Sequence, residues 1–231
     1  MGIVIAVTSG KGGTGKTSVT GGVASCLARL GKRVLCIDMD IGLRNLDISL
    51  GLSDRALMDF SDVAEGRCPL ARAAVTHPDL PNLSLLTAPM SLSPDVTATR
   101  IRALLRTARD RYDYIMIDSP AGLGPGFQLA VCGADRALVV ATNDASSLRD
   151  AQRTVEELEG VILDVCRDEI ESSGQCRSIQ GACRLLLIDN ERKVKESSLD
   201  TTRELLTFRN EYLILLPGRC SLIRLSFSQP M

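Results

Sequence analysis

"SGKGGTGKTS" occupies residues 9–18, between the apolar run Ile3-Val4-Ile5-Ala6-Val7 and a helix-like stretch. Gly10, Gly15, Lys16 and Thr17 satisfy the spacing G-x-x-x-x-G-K-[ST], and a strand before with a helix after is the context that spacing requires. The glycines Gly10, Gly12, Gly13 and Gly15 let the chain curl until successive backbone N–H groups point inward, which makes an anion cradle. The helix that follows adds the positive end of its dipole. Residues 10–18, including Thr14 and Ser18, are therefore read as a nucleotide-phosphate loop. Lys16 is placed to reach β- and γ-phosphates, and the Thr17 hydroxyl to coordinate Mg²⁺.

Outward from the loop, apolar runs alternate with helical patterns. The first strand is expected at 3–7, and a helix runs from Gly15 to about Leu30, where Gly31 marks a stop. Further strands are expected at 33–38, 83–88, 112–118 and 136–142, with helices at 95–111 and 146–160. In the first of these helices Val96, Ile101, Leu104, Leu105 and Ala108 share a face. Continuous apolar strands alternating with helices predict an α/β fold: three layers, doubly wound, with a mostly parallel sheet covered on both faces. Beyond Gly160 the periodicity fades. Strands are expected at 183–189 and 211–217 around a helix at about 192–208. Residues 1–160 form the expected core, and 161–231 an atypical part that either completes the same domain or stands apart.

Composition narrows the functional classes. Apolar residues make up 45%, enough for a full core, and with 3% aromatics that core must be aliphatic. Lys plus Arg is 27 against 28 for Asp plus Glu, and this balance argues against a protein that coats nucleic acid electrostatically. Eight cysteines include no C-x-x-C pair and no zinc spacing. His77, the single histidine, falls in the turn-like "THPDLP" and is expected to be a solvated loop residue. The N-terminus has no signal-peptide pattern, and no apolar run reaches the ~18 residues of a membrane span. A reducing cytoplasm with free thiols is the expectation.

Nucleotide hydrolysis needs carboxylates near the Mg²⁺ and the attacking water, at the C-terminal ends of strands. Asp38 and Asp40 end the second strand in "IDMDIGLRNLD", and Asp118 ends the fourth in "IMIDSPAG". Lys11 is a second lysine at the start of the loop, poorly placed to duplicate Lys16. Two readings stay open for it: a solvated surface charge, or a cation that crosses to a partner subunit's phosphates as an arginine finger does in trans.

"KGGTGKT" (11–17) resembles the deviant Walker A loop of the MinD/ParA ATPases. "DMDIGLRNLD" (38–47), "DSPAG" (118–122) and "TNDASSLRDAQR" (142–153) point to the MinD branch of that family. The resemblance runs over roughly residues 1–160 and implies a P-loop NTPase fold. It implies that Lys11 acts in trans across an ATP-sandwiched homodimer, with Lys16 and Thr17 on phosphate and Mg²⁺. It further implies that Asp40 positions the hydrolytic water, and that Asp38 and Asp118 hold Mg²⁺ through its waters. Residues 40–47 match switch I and 118–124 switch II, and "SSLRD" (146–150) matches a partner-binding surface. The cofactors implied are ATP and Mg²⁺, for a slow ATPase in septum-site selection. The partners implied are a division inhibitor of MinC type and an activator of MinE type, in the cytoplasm and at the inner face of the cell membrane.

Two family features are not matched. The basic amphipathic helix that docks on membrane has no clean counterpart, since Cys220, Leu222, Leu225 and Phe227 in "RCSLIRLSF" (219–227) form no helical stripe. The adenine-reading Asn-Arg pair is also missing after Gly160, and Asn190 in "LLLIDNER" is a weak candidate. Residues 161–231 have diverged, belong to a specialised relative or depart from the ancestral frame. Three other functions stay open. They are a ParA-type partition ATPase that binds DNA, a metal-cluster carrier that would need Cys132, and a non-hydrolysing interaction protein.

Overall fold

The computed structural model describes residues 1–53, 55–142 and 144–161 in full, and the backbone of 162–173, 184–189, 212–216 and 219–225. The chain begins with β1 (Ile3–Thr8), α1 (Lys16–Arg29), β2 (Val34–Asp38), and three short helices, α2 (Asn45–Ser49), α3 (Phe60–Ala64) and α4 (Leu70–Ala73). It continues through β3 (Val75–Thr76), β4 (Leu83–Leu86), α5 (Ala98–Arg109), β5 (Tyr114–Asp118), α6 (Pro125–Val131) and β6 (Arg136–Ala141). Then come α7 (Ala145–Ser173), β7 (Arg184–Asp189), β8 (Tyr212–Leu216) and β9 (Arg219–Leu225). Among the described residues one sheet holds nine strands in the order β3-β4-β2-β5-β1-β6-β7-β8-β9, and of these only the outermost, β3 and β9, pair antiparallel with their neighbours.

The sheet has two buried faces because alternate side chains of each strand point opposite ways. Val4, Ala6, Leu35, Ile37, Ile115 and Ile117 join a core with α5, α6 and α7. Ile5, Val7, Val34, Cys36, Leu85 and Met116 join a second core with α1 and α2. A strand buried on both sides has to be apolar throughout, which explains the unbroken runs in the sequence. The three-layer, mostly parallel expectation therefore holds. Central β1 sends α1 along one face, and adjacent β6 sends α7 along the other. That divergence is the switch point at which open α/β sheets place their ligands, at the C-terminal strand ends.

Several expected boundaries move. The first helix starts at Lys16, with Gly15 outside it in the left-handed region at φ 91°. It stops where expected: Gly31 (φ 78°) donates its N–H to the Ala28 carbonyl and Lys32 to that of Leu27, which closes a Schellman motif. Helix α7 continues past Gly160 to Ser173. A mid-helix glycine costs about 1 kcal/mol relative to alanine, too little to end a helix by itself. His77 is not merely solvated: its Nδ1 accepts from the backbone N–H of Asp79 at 3.1 Å and of Leu80 at 3.2 Å, closing the turn before β4. Helices α2, α3 and α4 and strands β3 and β9 were not anticipated. Each is seven residues or shorter, too short for a periodic signal. Helix α3 instead depends on a capping box, in which Asp59 accepts from Ser61 and Asp62 N–H and Asp62 returns a bond to Asp59. Residues 219–225, in the stretch weighed against a membrane helix, form β9. The helix expected at 192–208 and the adenine candidate Asn190 lie outside the described residues.

Candidate nucleotide-binding site

The loop of residues 9–15 closes over the tip of β1. Gly13 (φ 76°) and Gly15 (φ 91°) adopt left-handed backbone that other residues reach only with strain. Gly10 is a glycine for a different reason. A Cβ there would stand 2.6 Å from the Asp150 carbonyl oxygen, so α7 presses directly on the loop. Thr14 is buried, Gly12 is exposed, and Ser18 is exposed on α1.

Lys16 reaches back across the loop. Its Nζ donates to Ser9 Oγ at 3.0 Å, and Ser9 Oγ in turn donates to the Lys11 carbonyl at 2.5 Å. The Lys16 side chain is buried at 8% exposure. Desolvation lowers its pKa, while Asp118 and Asp40 pull it back up. An ammonium short of partners in a dry cradle is suited to polyphosphate oxygens.

The carboxylates come from neighbouring strands. Asp38 of β2 and Asp118 of β5 stand opposite each other in register, with Val7 of β1 on the far side of Asp118. Burial pushes the Asp118 carboxyl up to about 7, opposed first by the Thr17 hydroxyl and then by Thr20, with Asp38 adding to the rise. Asp118 Oδ1 accepts from Thr20 Oγ1 at 3.2 Å, whereas Oδ2 is buried with no hydrogen-bond partner. Burial also pushes Asp38 up to about 6. Its Oδ1 accepts from Asp40 N–H at 2.9 Å and its Oδ2 from Leu46 N–H at 3.1 Å. Asp38 thus anchors segment 40–46 from below, a role its strand-tip position did not announce. Asp40 is half-buried, its pKa raised by desolvation against the pull of Lys16.

These residues fit a magnesium ion. The bare Asp118 Oδ2 is an acceptor without a donor, and Asp38 lies in register beside it. Among the described residues no three His, Cys, Asp or Glu gather around a single point. Mg²⁺ does not need such a cage, because it takes one or two carboxylates and completes its shell with water and phosphate.

Within the single chain Lys11 is a partly exposed cation held in a surface ion pair. Its Nζ lies 3.1 Å from Asp144 Oδ2 and 3.4 Å from Oδ1. Asp144 precedes α7, where it also accepts from the Thr142 hydroxyl at 2.6 Å and from Ser147 N–H at 2.8 Å. Those bonds, with Lys11, hold its carboxyl down at about 2. Cys132 is buried in the core at the end of α6, and burial raises its thiol to about 11.

Sequence reasoning missed Ser9, Thr20 and Asp144. Only Thr20 carried a signal, since it lies three residues after Thr17 and so on the same helix face. The pairing of Asp144 with Lys11 spans 133 residues and left no trace in spacing.

A glycine cradle at the tip of a central parallel strand, facing a buried lysine and two strand-end carboxylates, defines a P-loop nucleoside triphosphatase. A family model described as an AAA domain matches residues 2–171. The septum site-determining protein MinD of Synechocystis sp. is 41% identical over 193 residues, covering 80% of this chain and 73% of the relative. The chain belongs to the MinD family of septum site-determining ATPases. Solved structures agree. An Aquifex aeolicus MinC:MinD cell division protein complex aligns with TM-score 0.63 and 38% identity, covering 82% of this chain and 69% of the other. The Pyrococcus horikoshii septum site-determining protein MinD complexed with Mg-ADP aligns with TM-score 0.62 and 26% identity, covering 81% of this chain and 70% of the other.

Proposed function

We propose that this ATPase is a slow, Mg²⁺-dependent switch that pairs with a second copy of itself when ATP fills the cradle. The carrying observation is the contrast between its two lysines. Lys16 is buried beneath the loop, whereas the Lys11 side chain is 36% exposed and held by one open ion pair. An exposed ion pair is worth at most about 1 kcal/mol, so Lys11 can exchange Asp144 for a more highly charged partner. A γ-phosphate in a facing subunit is such a partner, and hydrolysis removes that charge.

Within one subunit, Lys16 would leave Ser9 Oγ for phosphate oxygens, and the loop N–H groups would bind the same anion. Thr17, Asp38 and Asp118 would hold Mg²⁺, which neutralises charge on the β- and γ-phosphates. Asp40, half-buried beside Lys16, would orient the attacking water. Because Asp38 accepts from Asp40 and Leu46 N–H, any change at Asp38 is passed to segment 40–46. The loop contact of Gly10 with Asp150 passes movement to α7 in the same way.

Septum-site selection would then follow from occupancy: the ATP dimer recruits a MinC-type inhibitor, and a MinE-type partner stimulates hydrolysis. The inhibitor partner is supported by the Aquifex complex. Exposed Leu148 on α7, next to Asp150, is a suitable contact. Residence in the cytoplasm, with reversible binding to the inner face of the cell membrane, completes the cycle.

Sedimentation of the full chain with ADP, with ATP, and with ATP plus Lys11→Ala tests this reading. The expected result is a dimer with ATP alone, lost in Lys11→Ala while ATP still binds. A monomer in all three conditions overturns it. An ATP-dependent, salt-sensitive shift of DNA by the wild-type chain would favour a partition ATPase instead.

A further inference from the structure

We propose that Thr20 is a positioning residue that pins one oxygen of Asp118 and so reserves the other, buried oxygen for the cation. The inference rests on the reading above, that Asp118 holds the metal. Thr20 is completely buried on α1, one turn beyond Thr17. Its Oγ1 lies 3.2 Å from Asp118 Oδ1 and 2.9 Å from the Lys16 carbonyl oxygen. A hydroxyl has one proton to donate, so these two acceptors compete for it. An ionised carboxylate accepts more strongly than a helix carbonyl that already serves the i→i−4 ladder. With a cation present the proton therefore belongs to Oδ1.

That single bond has two consequences. It fixes the rotation of the carboxyl group about its bond to Cβ, and it leaves Oδ2 as the bare oxygen, still buried and unpartnered. Thr17 is itself expected to ligate the metal. Thr20 has no such second duty and lies behind the site rather than in it. A threonine that merely returned its hydroxyl to the helix carbonyl would have no bearing on metal affinity.

The test uses the full chain with ADP and with Mn²⁺ as a spectroscopic substitute for Mg²⁺. Mn²⁺ affinity is read by electron paramagnetic resonance, and ADP affinity in EDTA by calorimetry. Thr20→Val and Thr20→Ala are expected to weaken Mn²⁺ binding in the ADP complex about tenfold, the scale of a lost partner to a metal ligand, and to leave metal-free ADP affinity within about twofold. Thr20→Ser should restore the wild-type value. Thr20→Ala preserves the helix, so a folding defect confined to Thr20→Val leaves the comparison intact. Unchanged Mn²⁺ affinity in both variants, a parallel loss of metal-free ADP binding, or failure of Thr20→Ser to restore overturns the role of Thr20. A wild-type chain that binds ADP but no Mn²⁺ overturns instead the assignment of Asp118 to metal.

Discussion

Asp113 and Asp118 bracket the same strand, and their environments drive them in opposite directions. Asp113 lies at the lower end of β5 and meets Arg33, which donates from its backbone N–H at 2.8 Å and from its guanidinium at 2.8 Å. Those bonds hold its carboxyl down at about 2. Nearby, Arg109 donates to both oxygens of Asp135 and to the carbonyls of Gly2 and Gly133. At the upper end Asp118 is buried beside Asp38 and has one oxygen without a donor. At the lower end these carboxylates are paired with arginines, whereas at the upper end Asp118 keeps a bare, buried oxygen. One rigid sheet can hold unsatisfied groups at its functional edge because the rest of its polar groups are well served.

The largest expected break in this comparison comes from Lys16→Ala. It should lower ATP turnover by about a hundredfold or more, the cost of losing a preorganised cation, and leave the fold intact. Phosphate release, with circular dichroism as the control, would check both halves. At the opposite end Arg109→Ala should cost about 1 kcal/mol of stability, by taking the donor from the Gly2 and Gly133 carbonyls and the charged partner from exposed Asp135. Nucleotide affinity should not change. Urea denaturation beside an ADP titration measures the two effects separately.

Asp118→Asn should reverse that sign, stabilising the nucleotide-free chain at neutral pH by about 1 kcal/mol while ending Mg²⁺-dependent turnover. The pH dependence gives the reason. The folded pKa of Asp118 is raised to about 7 and that of Asp38 to about 6, both above the unfolded value of about 4. The folded chain therefore holds more protons across that interval, and the stability this contributes is lost as pH rises through the folded values. Melting temperature of the free chain should fall as pH rises through that interval, and Asp118→Asn should flatten the fall. A rise instead would contradict the burial argument. The smallest effect is expected from Asp144→Asn, which frees Lys11 from its ion pair. The concentration needed for ATP-dependent dimerisation should drop only a few-fold and respond weakly to salt, as exposed pairs do. Sedimentation with ATP at two salt concentrations measures it. A weaker dimer would mean that Asp144 serves the assembled state.

The elements legible from sequence were those encoded within a few residues. Val34–Asp38 and Arg136–Ala141 announced themselves as apolar runs, and Ile101, Leu104, Leu105 and Ala108 as a helical stripe. The phosphate loop was legible because its backbone conformation needs glycine at fixed intervals, and strand-tip aspartates were legible because parallel sheets present their ligands at one edge. Helix α7 ran beyond its expected end because a single glycine is a weak stop signal.

By itself, then, the sequence determined the sheet, the cradle and the residues Lys16, Thr17, Asp38 and Asp118, all set by backbone preference and short-range pattern. Only the tertiary structure decided what those residues meet. It brought Thr20 to Asp118 across 98 positions, Lys11 to Asp144 across 133, and the backbone of Asp150 against Gly10. Such contacts depend on how helices pack over a twisted sheet, and packing leaves no periodic mark in the chain that makes it.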